Sequence, residues 1–445
     1  MKQLITNVEI VNEGKREIKH LLICDDVISA ILPPDTPVLP TADVHVDGRG
    51  KMLLPGAIDD QVHFREPGLT QKADIASESA AAVAGGVTSF MEMPNTIPQT
   101  TTLETLASKY ERGAQSSLAN YSFYIGATND NLDVVTAVDY SKVCGIKLFM
   151  GSSTGNMLVD NEATLSALFE AAPAIITAHC EDETTIRANL VAYKQRYADN
   201  VPWGCHAQIR SAEACYKSSA KAATLARKYG ARLHILHLST ADELSLLDDG
   251  PLSMRKITGE ACVHHLWFSD ADYATKAQWI KWNPSIKAAA HRDALRQAVR
   301  NGLIAVVATD HAPHTIAEKT GGNYFNTPSG APMVQHSLIA MLEMAQMGLW
   351  SYETVVDQMC HRPAQLFGVS KRGFIREGYK ADLVLIEKTT WQVQRSNVLY
   401  KCGWSPMEGV EFHHRVCQTY VNGHLVYNND KIDTSVRGER LLFNR

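Results

Sequence analysis

One apolar run of this chain ends in PGAIDDQVHFREPG, Pro55 to Gly68, which sets His63 and Arg65 just behind two carboxylates. Five further runs end in polar clusters: MEMPN (Met91–Asn95), GIKLF (Gly145–Phe149), AHCED (Ala178–Asp182), LHLS (Leu236–Ser239) and ATDHAPH (Ala308–His314). Imidazole and carboxylate suit zinc or a similar divalent ion, so together the clusters read as a metal-dependent hydrolase. Two residues disturb that reading. Gln61 stands two before His63, where a second metal-binding histidine is expected. Lys147 carries an ammonium, which repels a metal. It is either an ordinary lysine paired with a carboxylate, or a neutral amine that has taken up carbon dioxide to become an anionic carbamate able to bridge two metals.

Something must bring these clusters together. Eight short β-like runs cross the centre of the chain: AIDDQVHF, TSFMEMP, YSFYIGAT, CGIKLFMG, AIITAHCE, RLHILHLS, ITGEACVHHL and AVVATDHA. Between them lie amphipathic segments such as Ala76–Gly86 and Ala212–Gly230, with apolar residues at three-to-four spacing and a glycine stop. Eight repeats of strand and helix predict a parallel (β/α)₈ barrel, whose chemistry sits at the C-terminal strand ends. His63, Lys147, His179, His237 and Asp310 fall at the ends of the first, fourth, fifth, sixth and eighth runs. A doubly wound open sheet is the alternative, but it does not bring so many strand ends to one mouth.

Residues 1–53 and the tail alternate polar and apolar around turns at Asn12–Gly14 and Asp47–Gly50. They predict a small β-rich domain composed of 1–53 and 366–445, with the barrel (54–365) inserted between. Thr315–Ser329 reads as a loop over the mouth, and the Met stripe at Met333–Met347 as core helix. Alternation along a strand sets His234 and His237 on opposite faces, which favours His237 as the ligand. His206, His264, His265 and His311 are left outside the metal site.

Composition bounds the rest. The 445 residues are 45% hydrophobic, ample for a sizeable core. A formal charge of −5 with no basic block argues against nucleic acid. No apolar run approaches the roughly 20 residues that span a bilayer, and MKQLITNVEIVNEGK lacks the marks of a signal peptide. Nine scattered cysteines, an odd count without paired spacing, read as free thiols in a reducing cytoplasm. The lack of a CxxC pair argues against a structural zinc site.

VHFREPG (Val62–Gly68), MPNT (Met93–Thr96), GIKLF, AHCED, LHLS, NPSIK (Asn283–Lys287) and DHAPH (Asp310–His314) together resemble the dihydroorotases of the amidohydrolase superfamily, over nearly the whole chain. FREPG with MPNT and DHAPH is the specific part. The resemblance implies reversible hydrolysis of L-dihydroorotate to N-carbamoyl-L-aspartate in de novo pyrimidine synthesis. His63, position 61 and Asp310 are then ligands of one zinc ion, His179 and His237 of a second, with carbamylated Lys147 between them. Asp310 is also the proton shuttle. Arg65, Asn95 and His314 bind the substrate carboxylate, while Asn283, Ser329 and Gly330 meet the ring. A homodimer and association with aspartate transcarbamoylase are suggested by resemblance alone.

The chain departs from that pattern at Gln61–Val62–His63, where such enzymes carry histidine–x–histidine. Gln61 then ligates weakly, through water, or not at all, leaving one or two ions per chain. The departure keeps two other readings open. One is an inactive dihydroorotase-like partner of aspartate transcarbamoylase. The other is a related hydrolase of hydantoins, dihydropyrimidines or allantoin.

Overall fold

The computed structural model describes residues 1–151 and 157–445. Strands β1 (Lys2–Asn12), β2 (Lys15–Cys24), β3 (Val27–Leu32), β4 (Val44–Asp47) and β5 (Lys51–Pro55) open the chain. They share a nine-stranded sheet with β15 (Leu383–Gln392), β16 (Glu411–Val421), β17 (His424–Asn428) and β18 (Lys431–Ile432). The seam is β5 against β15, antiparallel, with Leu54 opposite Val384. The β16–β17 hairpin turns at Asn422–Gly423, both with positive φ. That is the conformation an Asn-Gly pair adopts at least cost.

The intervening strands are those anticipated from the eight runs: β6 (Ala57–Val62), β7 (Val87–Glu92), β8 (Asn120–Phe123) with its continuation β9 (Ile125–Gly126), β10 (Ile146–Phe149), β11 (Ile176–His179), β12 (Leu233–Ile235), β13 (Ile257–Cys262) and β14 (Val306–Ala308). All neighbouring pairs are parallel. The third strand is interrupted at Tyr124, whose hydroxyl donates to the Asp60 carbonyl at 3.0 Å. The barrel closes where Val62 bridges His311 and the His63 amide donates to the His311 carbonyl at 2.7 Å. The fold is a (β/α)₈ barrel with a small β-rich unit built from both ends of the chain.

The connecting helices stop and start where their capping residues dictate. Helix Ala212–Tyr229 begins at Ser211, whose hydroxyl accepts from the Ala214 amide, and ends at left-handed Gly230. Its buried face is Ala214, Cys215, Ser218, Ala222 and Ala226, small enough for close approach to the sheet. Of the Met stripe, Met341 and Met344 lie in helix Ser337–Gln346 and are fully buried, Met333 is buried ahead of it, and Met347, just past its end, is exposed. The segment read as loop, Thr315–Ser329, contains a short helix, Ile316–Thr320, set by a Thr315–Glu318 capping box that the Gly-rich composition concealed. All nine cysteines are unpaired. Among the described residues no helix is long and apolar enough to cross a membrane.

Candidate active site

One cavity of about 300 Å³ opens at the C-terminal ends of the barrel strands. Gln61, His63, Arg65, Asn95, Lys147, His179, His237, Asn283, Asp310, His314, Ser329 and Gly330 all line it. Phe149, Ala312 and Pro328 complete the wall. Phe149 lies two residues beyond Lys147 on β10, so strand alternation could have found it. Its ring lies 4.5 Å from the Lys147 Nζ.

Three of these residues, Arg65 (φ +68°), His237 (φ +39°) and Asp310 (φ +45°), sit in the left-handed region. Such strain costs on the order of 1–3 kcal/mol each and concentrates at functional sites. It also corrects the alternation argument for His234 and His237. β12 ends at Ile235, and the left-handed turn at His237 sends its ring to the mouth, while His234 faces the barrel interior below.

The donors come in two pairs. His179 Nδ1 and His237 Nε2 lie 2.9 Å apart. The second histidine is seated by its own amide, which donates to Glu260 Oε1 at 3.0 Å. His179 Nε2 lies 3.2 Å from Glu181, which Arg210 also contacts. Arg210, with His179, holds the Glu181 carboxyl down at about 2 against the opposing effect of burial. Nothing in the CHAQIRSAE segment signalled Arg210 as part of the site.

In the other pair, His63 Nε2 and Asp310 Oδ1 are 3.2 Å apart. Asn95 Oδ1 lies 2.8 Å from His63 Nδ1. With the carboxamide oxygen accepting, the ring proton is on Nδ1 and a lone pair on Nε2 faces the carboxylate. Two acceptors so close need a proton or a cation between them. Burial pushes His63 and His237 well below the ordinary histidine range, so both rings are neutral and able to ligate. Burial also raises the Asp310 carboxyl to about 7 and lowers the Lys147 ammonium to about 8. This donor set fits a divalent metal.

Gln61 faces the same carboxylate. Its Nε2 donates to Asp310 Oδ1 at 3.2 Å, and its Oε1 is turned toward Cys262 Sγ, 3.8 Å away. In this orientation the amide nitrogen, not an oxygen ligand, meets Asp310. Gln61→His is therefore expected to tighten a divalent metal at the His63–Asp310 pair about tenfold or more, in keeping with the cost of losing a supporting group around a metal. Competitive chelator titration reads this, and unchanged affinity would remove Gln61 as the cause of a weak position.

The far end of the cavity is cationic. Arg65 Nε donates to the Pro313 carbonyl at 3.1 Å, and its Nη2 is 3.2 Å from His314 Nε2. Lys72 Nζ lies 3.1 Å from His314 Nδ1. Lys72 at Nδ1 and Arg65 at Nε2 both only donate, and a neutral ring accepts at one nitrogen alone. With Nδ1 accepting from Lys72, the Nε2 proton goes to the Ser329 carbonyl at 3.0 Å and Arg65 Nη2 gains no acceptor from the ring. Burial and the neighbouring Arg65, Lys72 and Lys319 keep His314 neutral. Two buried lysines fix the wall here. Lys281 Nζ donates to the Tyr324 and Thr327 carbonyls at 2.7 and 2.6 Å, and Lys319 Nζ to those of Pro328 and Gly330. The Gly330 amide is taken by the Lys281 carbonyl at 2.8 Å, so Gly330 offers the cavity a surface and no donor. At its φ of +124°, a Cβ would lie 2.6 Å from the Ala312 carbonyl oxygen.

The remaining histidines lie off the cavity. His311 pairs with Glu78 at 2.8 Å, and His206 contacts the Tyr324 hydroxyl and the Trp282 carbonyl at 2.7 and 2.6 Å. His264 stacks on Trp282, and His265 contacts the Pro284 carbonyl.

The comparisons agree with this architecture. A model of the amidohydrolase family matches residues 52–426. A dihydroorotase of Halobacterium salinarum is 34% identical over 395 residues, 88% of this chain and 89% of the relative. An allantoinase of Bacillus velezensis is 27% identical, covering 96% of this chain and 94% of its own. Among solved structures, an L-hydantoinase from Arthrobacter aurescens superposes with a TM-score of 0.91 at 25% identity, covering 97% of both chains. These relatives bear three different activity names. This chain is a cyclic amide hydrolase and belongs to the amidohydrolase family.

Proposed function

We propose that the chain hydrolyses L-dihydroorotate to N-carbamoyl-L-aspartate, reversibly, as a dihydroorotase. One observation carries the reading: Arg65 is buried on the cavity wall and makes no ion pair with a carboxylate among the described residues. A buried guanidinium without an anion is costly, and burial lowers it to about 10. A substrate with an exocyclic carboxylate supplies the missing partner. Hydantoin and allantoin rings carry no such group. The sequence likeness to dihydroorotases supports the same choice.

In the hydrolytic direction water adds to the ring amide carbonyl and the carbon–nitrogen bond breaks, so the single opened product carries a new carboxylate and a carbamoyl NH₂, and one proton is released. Asp310 takes the water proton and returns it to the departing nitrogen. Arg65 holds the substrate carboxylate, His314 lines that end of the cavity beside it, and Ser329 and Gly330 form the wall beside the ring. Asn283 Oδ1, buried and without a hydrogen-bond partner, accepts a ring N–H. Asn95 fixes the tautomer of His63. His63, His179, His237, Asp310 and Lys147 as its carbamate would hold one or two zinc ions, which supply Lewis acidity and a water pKa lowered toward roughly 7. Lys147 is suited to that modification because burial lowers its ammonium to about 8, leaving roughly a tenth as free amine at pH 7, far more than an ordinary lysine has.

The test is turnover of L-dihydroorotate, hydantoin and allantoin by zinc-loaded protein with and without bicarbonate. Opening of L-dihydroorotate, at least about a hundredfold over the neutral rings, is expected from a carboxylate held by a charged group. Preference for a neutral ring rejects the reading. Absence of turnover in folded protein favours an inactive partner of aspartate transcarbamoylase. Activity indifferent to stripped carbon dioxide removes the carbamate.

A further inference from the structure

Below the mouth, Asp60 on β6, His234 on β12 and Glu260 on β13 converge inside the barrel, each fully buried. None of the three lines the active-site cavity. Both Asp60 carboxylate oxygens, His234 Nε2 and Glu260 Oε2 lack a hydrogen-bond partner. Unsatisfied buried groups of this kind cost roughly 1–3 kcal/mol each, more when charged. Here one oxygen from each carboxylate faces the His234 Nε2.

The spacing is informative. His234 Nε2 lies 3.5 Å from Asp60 Oδ2 and 3.6 Å from Glu260 Oε2. Both are long for a hydrogen bond. They match the separation of ligand atoms around a tetrahedral ion with bonds of about 2.0–2.2 Å, where neighbouring ligands stand roughly 3.3–3.6 Å apart. The supporting contacts are those of a ligand set. His234 Nδ1 is 2.8 Å from the Thr258 hydroxyl, which fixes the ring and leaves Nε2 as the inward nitrogen. Glu260 Oε1 is held by the His237 amide at 3.0 Å, which turns Oε2 inward. Two carboxylates balance a dication, and the mixed oxygen and imidazole donors suit zinc or a similar transition metal.

We propose that Asp60, His234 and Glu260 form a second, interior site for a divalent transition-metal ion of the zinc class, beneath the catalytic mouth. The second Asp60 oxygen or a water completes its coordination. The ion braces the first, sixth and seventh barrel strands. Through Glu260 it also positions the backbone of His237, so the interior ion and the mouth share one support. The inference does not depend on which ring the enzyme opens.

The decisive measurement is an anomalous difference map at the zinc edge, from crystals of the full chain expressed and grown with excess zinc. A peak within bonding distance of Asp60, His234 Nε2 and Glu260 is expected, whatever the mouth holds. Zinc at the mouth alone, or nowhere, in saturated wild-type crystals overturns the proposal and leaves an imidazole between two carboxylates. Asp60→Asn, if folded, is expected to lose about one zinc per chain on elemental analysis while the mouth retains its complement. Unchanged zinc content in that variant also overturns it. The wild-type map decides the matter if the variant does not fold.

Discussion

Asp310→Asn is expected to reduce kcat for L-dihydroorotate hydrolysis by about 10²- to 10⁴-fold, the range assigned to loss of a positioned acid–base group. Asparagine keeps the shape of the side chain and can still meet Gln61 and His63, but it cannot carry the water proton to the leaving nitrogen. A variant that retained most of its rate at full zinc occupancy would exclude Asp310 as the shuttle. The same residue makes a pH prediction for chelated protein. Burial raises the Asp310 carboxyl from its ordinary value near 4 to about 7, so the folded state binds the proton more tightly than the unfolded chain. Stability of the metal-free wild type should therefore fall as pH rises from about 4 to 7. Asp310→Asn should flatten that slope in urea titrations. An unchanged slope would assign the pH dependence to other buried acids.

Arg65→Met is expected to lower kcat/KM for L-dihydroorotate by about 10²- to 10³-fold, mostly through KM, because truncating one partner of a buried charge pair costs roughly 2–5 kcal/mol. Zinc content should not change, since the guanidinium touches Pro313 and His314 and none of the proposed ligands. Arg65→Lys should recover only part of the loss, because an ammonium keeps the charge but not the two-pronged geometry. Equal kinetic constants in Arg65→Met and parent would sink the carboxylate-anchoring role.

The barrel was legible because each strand is a short apolar run punctuated by polar residues, and because the helix limits coincide with Ser211, Gly230 and similar caps. The mouth was legible through strand-end position. The interior cluster was not. Asp60 and Gln61 are consecutive, yet both find inward partners, because the β6–β7 register shifts between Asp59 and Val62. Alternation is a poor guide across such a shift, as it was across the left-handed turn at His237. Arg210 and Lys72 were missed for a different reason. They reach the site from segments outside the strand ends, and nothing local distinguishes them from surface cations. The helix Ile316–Thr320 was hidden by the glycines and polar residues that follow it.

The β5–β15 seam has a consequence for the order in which the molecule is made. β5 leaves the ribosome early and leads through Gly56 directly into the first barrel strand, but its partner β15 is translated only after the whole barrel. Until then one side of β5 presents unpaired amides and carbonyls, an edge of the kind that recruits stray strands. Contacts so distant in sequence form slowly. The nascent chain therefore carries an open seam until β15 emerges and zips it shut. Slowing translation between the eighth barrel strand and β15 would lengthen the interval in which aggregation competes with folding.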